Sequence, residues 1–196
     1  MEAGRDTGSH PGRPHCLIVG CGYVGTRLAR RLATDHDVRA VVRSAASIDA
    51  LRALQVDAQR VDLDVPDADL SVLPARATNA AVFYLAPPPE HGTSDPRLAR
   101  FLGALGAALP TVLVYMSTTG VYGDTGGAVV TEDSELAPST DRARRRVAAE
   151  RLVNEWCVPR QVRCVILRVP GIYGPGRLPL DRLQRDEPVL RPEDAG

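Results

Sequence analysis

The 196-residue sequence contains no lysine: all 24 of its basic residues are arginine. That absence excludes, for this chain, a Schiff-base lysine, a P-loop lysine and a Tyr-x-x-x-Lys dyad. The arginines are matched by 24 acidic residues, so the formal net charge is zero. No bulk attraction to nucleic acid or to an acidic membrane is expected from such a balance. Aromatics are scarce at 4%, which leaves the core to aliphatic side chains. Only four cysteines are present, Cys16, Cys21, Cys157 and Cys164, and none forms a C-x-x-C pair. A disulfide framework or a metal site needs tighter clustering, so buried free thiols are expected and no metal. No run approaches the ~20 apolar residues of a membrane span. Residues 1–14 lack the apolar segment of a secretory signal. They read as a disordered tail, and the protein as cytoplasmic.

What is present is ordinary globular material, 44% hydrophobic and 24% charged, enough for one substantial core. Residues 15–20 form a short apolar run ending in glycine, the mark of a buried parallel strand. Residues 23–34 read as a helix, with Val24, Leu28 and Leu32 on one face. Further strands are expected at 38–42, 56–61, 80–85, 111–116 and 163–169. Further helices are expected from a Ser44 or Ser47 cap to 54, from a Ser94 or Asp95 cap to about 109, and over 141–157. Residues 117–139 read as a glycine-bearing loop. Six strands alternating with helices imply a parallel sheet covered on both faces, doubly wound in the order 3-2-1-4-5-6. That domain is expected over residues 15–177.

Gly20-Cys21-Gly22-Tyr23-Val24-Gly25 is G-x-G-x-x-G between the first strand and the first helix. In that context the first glycine permits the turn, the second admits a diphosphate and the third lets helix and strand pack closely. The helix N-terminus offers free N–H groups to the phosphates. The second strand ends at Val42-Arg43-Ser44, with no carboxylate to accept a ribose 2′-hydroxyl. Arg43 and Ser44 suit a 2′-phosphate instead, so NADP is expected in preference to NAD. Asp62, ahead of Leu63, either reaches the adenine amino group or caps the next helix.

Four segments resemble the short-chain dehydrogenase/reductase superfamily, and most closely its extended and atypical, epimerase/dehydratase-like branches. They are Gly20–Gly25; Tyr84-Leu85-Ala86-Pro87-Pro88; Ser117-Thr118-Thr119-Gly120-Val121-Tyr122-Gly123-Asp124; and Arg168 through Pro170, Gly171, Ile172, Tyr173, Gly174, Pro175 and Gly176 to Arg177. The resemblance implies cofactor contacts at Gly20, Gly22, Tyr23, Val24, Gly25, Arg43, Ser44, Asp62, Leu63, Ala86, Pro87, Arg146, Pro170 and Gly171. It also implies a small-molecule substrate, no nucleic-acid or membrane partner, and a homodimer through the helices at 94–109 and 141–157. Members usually continue well beyond the Y-G-P-G segment. Residues 178–196 therefore read as the start of a truncated substrate region, with apolar surface left open near the sixth strand.

The sequence departs from the family where catalysis is expected. Thr118 falls on the family's Ser/Thr position. The Tyr and Lys positions, aligned through Glu150, hold Arg142 and Arg146. A guanidinium cannot exchange protons near neutral pH. Arg146 can still bind a ribose hydroxyl, and Arg142 and Arg146 share one helical face suited to a phosphate or carboxylate. Two readings stand: an NADP-dependent oxidoreductase lacking the usual pair, or a non-catalytic NADP-binding regulatory or partner-binding module.

Overall fold

The computed structural model describes residues 12–178. Most of the expected tail and nearly all of the expected C-terminal region lie outside them. Strand β1 (His15–Val19) is buried over its last four residues and pairs in parallel with β2 (Asp37–Val42) and β4 (Ala80–Tyr84). Strand β3 (Asp57–Arg60) flanks β2, and β5 (Val112–Thr118) and β6 (Arg163–Val169) complete the sheet. The order is β3-β2-β1-β4-β5-β6, all parallel. This is the doubly wound, Rossmann-type arrangement that the alternation predicts.

Side-chain alternation along β1 divides the core in two. Leu17 and Val19 join Val82, Tyr84, Leu113 and Tyr115 under the helices α3 (Val72–Ala77), α4 (Pro96–Leu105) and α5 (Asp141–Cys157). Cys16 and Ile18 face the other way, with Ala29 of α1 (Tyr23–Leu32) and Leu51 of α2 (Ala45–Arg52). The helix starts reflect local chemistry: Ser44 Oγ accepts from Ser47 N–H, Asp95 from Leu98 N–H and Thr140 Oγ1 from Ala143 N–H.

Several boundaries differ from the sequence reading. The fourth helix stops at Leu105, because Gly106 turns to φ +56°. The fifth strand runs on to Thr118, because Ser117 and Thr118 pair with Arg168 and Val169. The expected loop therefore begins two residues later, in a 3-10 turn over Thr119–Tyr122. Helix α3 is an addition to the expected elements; it buries Leu73 and Ala77, four residues apart on one face. At the β6 edge, Leu167 is 45% exposed, so apolar surface is open there among the described residues.

The cysteines are free thiols, three of them buried and Cys164 partly so. Burial pushes the Cys16 thiol up to about 11 and Cys21 to about 12. The neighbouring thiols shift each other in opposite directions, Cys164 down and Cys157 up. Thiolate is the reactive form. Iodoacetamide at pH 8 is therefore expected to modify Cys164 first and to spare Cys16 and Cys21 until the protein is denatured. Peptide mapping by mass spectrometry checks the order; early labelling of Cys16 or Cys21 contradicts it.

Candidate functional site

Two neighbouring clefts open at the C-terminal ends of the strands, where an open parallel sheet binds its ligands. The first, about 260 Å³, lies over the β1–α1 turn. Gly20 has φ +94°, and a Cβ there would stand 2.7 Å from the Ala86 nitrogen. A Cβ on Gly25 would collide with the Gly20 carbonyl, whereas one on Gly22 would meet nothing within 4 Å. Two of the three glycines are therefore required by packing. The middle one faces open space at the start of α1, where no side chain caps the helix.

This cleft gathers Gly20, Gly22, Arg43, Ser44, Asp62, Leu63, Ala86 and Pro87, eight of the residues expected to hold a cofactor. Ser44 stands at the start of α2, and its hydroxyl pairs with Ser47 Oγ at 2.8 Å. Asp62 caps no long helix; its Oδ1 accepts from Asp64 N–H at 3.0 Å. Asp64, Arg97 and Ser47 also line the cleft, and sequence reasoning misses them as site residues. Arg97 grips Asp64 through Nε and Nη2, both at 2.6 Å. That fork holds the Asp64 carboxyl below its usual range, since hydrogen bonding favours its charged form. Arg43 reaches the same carboxylate only at 3.4 Å, with its side chain 67% exposed. No sequence signal predicts the Asp64–Arg97 pair, because 33 residues separate its members.

The other expected cofactor residues lie elsewhere. Gly25 and Val24 are within α1, and Val24 borders an apolar hollow with Phe83, Met116 and Ile172. Tyr23 holds the segment after β6: its hydroxyl donates to the Pro175 carbonyl at 3.3 Å, and the Arg27 guanidinium covers its ring at 3.5 Å. Arg146, Pro170 and Gly171 line the second cleft, about 510 Å³, together with Thr118, Thr140, Arg142 and Arg177.

Arg146 is buried, and its Nη1 donates to Tyr115 Oη at 3.0 Å and to the Met116 carbonyl at 2.9 Å. Burial pushes the Tyr115 phenol up to about 12 despite that guanidinium. Tyr115 is thus a poor proton donor at neutral pH. Thr118 begins the 3-10 turn, its Oγ1 accepting from Gly120 N–H at 3.3 Å. Beneath the cleft, Ser117 Oγ donates to Glu150 Oε1 at 2.5 Å. Arg168 forks onto Glu150 and also donates to Tyr122 Oη at 2.8 Å and to the Glu132 carbonyl at 3.0 Å. These bonds fix the end of β5 against α5 and β6. Tyr122 is thereby committed to the scaffold, while Tyr173 is 78% exposed.

Residues 16–187 match the NAD dependent epimerase/dehydratase family. No curated protein matches the sequence. Among solved structures, UDP-glucuronic acid 4-epimerase from Bacillus cereus in complex with NAD is similar, with 21% identity and a TM-score of 0.70. The match covers 89% of this chain and 64% of that one, and at such identity it is a likeness of fold. A provisionally assigned NAD-dependent epimerase/dehydratase from Methylobacillus flagellatus shares 29% identity, with a TM-score of 0.69 over 89% of this chain and 62% of its own. A conserved protein of unknown function from Silicibacter pomeroyi DSS shares 31%, with a TM-score of 0.70 over 89% and 58%. The chain thus spans less than two thirds of the length of each.

Proposed function

The chain belongs to the NAD-dependent epimerase/dehydratase family, and from that premise we propose that it binds NADP over the glycine turn and is an oxidoreductase acting on a small or sugar-nucleotide substrate in the second cleft. The observation that carries the reading is the open position of Gly22 at the uncapped start of α1. Backbone N–H groups there suit a diphosphate, and among the described residues nothing lies within 4 Å of where a Gly22 Cβ would stand. Dinucleotide binding is further supported by the family and by the NAD in the B. cereus structure. Arg43, Ser44 and Ser47 at the start of α2 are the residues suited to a 2′-phosphate.

When bound, the nicotinamide supplies a hydride acceptor or donor. The chain's own residues bind and orient. Thr118 accepts from Gly120 N–H, so its single hydroxyl hydrogen is free to donate to a substrate oxygen. Arg146 offers one of its remaining N–H groups to a ribose hydroxyl, keeping the electrostatic half of a lysine's role. Neither Arg142 nor Arg146 moves a proton. Charge developing on the substrate oxygen is met by hydrogen-bond donors, and solvent water, in place of a tyrosine, supplies the proton that completes the alcohol.

The test of turnover is NADPH oxidation, followed by absorbance, with a panel of carbonyl compounds. Consumption is expected; tight NADPH binding with no consumption across the panel replaces this reading by the non-catalytic one. Arg43→Asp tests the cofactor choice. Losing a charge-assisted contact worth roughly 1.5–3 kcal/mol should weaken NADPH by at least about tenfold and leave NADH unimpaired. An unchanged preference overturns the role of Arg43.

Among the described residues no helix is long and apolar enough to cross a membrane. The free thiols support a reducing compartment, which we take to be the cytoplasm. A homodimer through α4 and α5 is the accompanying expectation, checked by sedimentation.

A further inference from the structure

The polar side chains that line the second cleft are arginines and hydroxyl residues. Arg142, Arg146 and Arg177 bring three guanidinium groups, and Thr118 and Thr140 bring hydroxyls. Thr118 Oγ1 and Thr140 Oγ1 each already accept a backbone N–H, from Gly120 and Ala143. Their hydrogens are therefore left to point at something else. No aspartate or glutamate lines the cleft. Two carboxylates of the same helix are committed elsewhere: Asp141 to Arg144 at 2.7 Å, and Glu150 to Ser117 and Arg168. Among the described residues none of the three lining arginines forms a salt bridge. Among the described residues Arg146 hydrogen-bonds only through Nη1.

Hydroxyl hydrogens left unused and cations with no salt-bridge partner among the described residues suit an anionic ligand. We propose that this cleft binds a phosphoryl group of the substrate, with Arg142 and Arg177 as specificity-determining residues and Arg146 at its floor. A doubly charged phosphoryl matches three guanidiniums that form no salt bridge among the described residues better than a single carboxylate does. The inference rests on reading the cleft as the substrate's. It assigns Arg142 a use that the lost tyrosine position did not have: the side chain that cannot pass a proton holds the substrate's anion instead.

The experiment is calorimetric titration with inorganic phosphate, using protein saturated with NADPH so that the glycine turn is filled. Acetate at matched ionic strength is the second probe. Arg142→Gln and Arg177→Gln are the variants; both positions are exposed, so folding should survive. Arg151→Gln removes an exposed charge from the same helix outside the cleft and serves as control. Expected are phosphate binding stronger than acetate, at least tenfold weakening in each cleft variant, and a change within twofold in the control. Equal weakening in the control, no weakening in Arg142→Gln, or tighter acetate than phosphate overturns the proposal. If NADPH itself does not bind, the cofactor reading fails. The same titration without it then still decides whether Arg142 holds phosphate.

Discussion

Gly25→Ala is expected to destabilise the protein by about 3 kcal/mol, whereas Gly22→Val should leave the fold intact and remove the cofactor. The two positions differ by three residues and by what a side chain would meet. At Gly25 a single methyl group runs into the Gly20 carbonyl, and the Ile18 side chain lies 3.5 Å away. The carbonyl cannot retreat easily, because Gly20 N–H is bonded to the Val41 carbonyl at 2.9 Å and its φ of +94° suits only glycine. At roughly 2–4 °C per kcal/mol for a chain of this size, the melting temperature should fall by about 6–12 °C. At Gly22 a side chain has open space and the loss is that of a favourable N-cap residue, so stability should fall by no more than about 1 kcal/mol. That open space is where the diphosphate is proposed to sit. Valine there should weaken NADPH about 100-fold, or roughly 2.7 kcal/mol. Melting curves without cofactor, beside a fluorescence titration with NADPH, separate the effects. A Gly22→Val variant that binds NADPH normally would show that the cofactor lies elsewhere.

The second large effect is expected at Glu150, which is 3% exposed and accepts from Ser117 Oγ and from the Arg168 fork. Removing one partner of such a group strands the other, at a cost of about 3–5 kcal/mol. Glu150→Ala is therefore expected to lower the melting temperature by roughly 10 °C. Glu150→Gln keeps the shape and an acceptor for Ser117 but loses the charge, so its cost should be intermediate. The double variant Glu150→Ala with Arg168→Met should cost less than the sum of its single changes by at least about 1 kcal/mol, because the groups interact directly. Strict additivity would mean that the network does not hold the end of β5.

The layered α/β fold is legible along the chain, because strand and helix periods alternate and helix starts carry their own caps, as at Ser44, Asp95 and Thr140. So is the glycine turn, whose spacing is local, and so is the loss of the Tyr/Lys pair, which is a matter of residue identity. Helix α3 is not legible, since its six residues carry too little periodicity. The Asp64–Arg97 fork, the Glu150–Arg168–Tyr122 network and the anchoring of Arg146 on Tyr115 and Met116 emerge only in the folded chain. Their members come from different strands, helices and loops, and no pattern along the chain encodes a distance across the sheet. The spacing of the glycines already separates the two packed positions from the open one, and only the fold decides which backbone atoms press on Gly20 and Gly25.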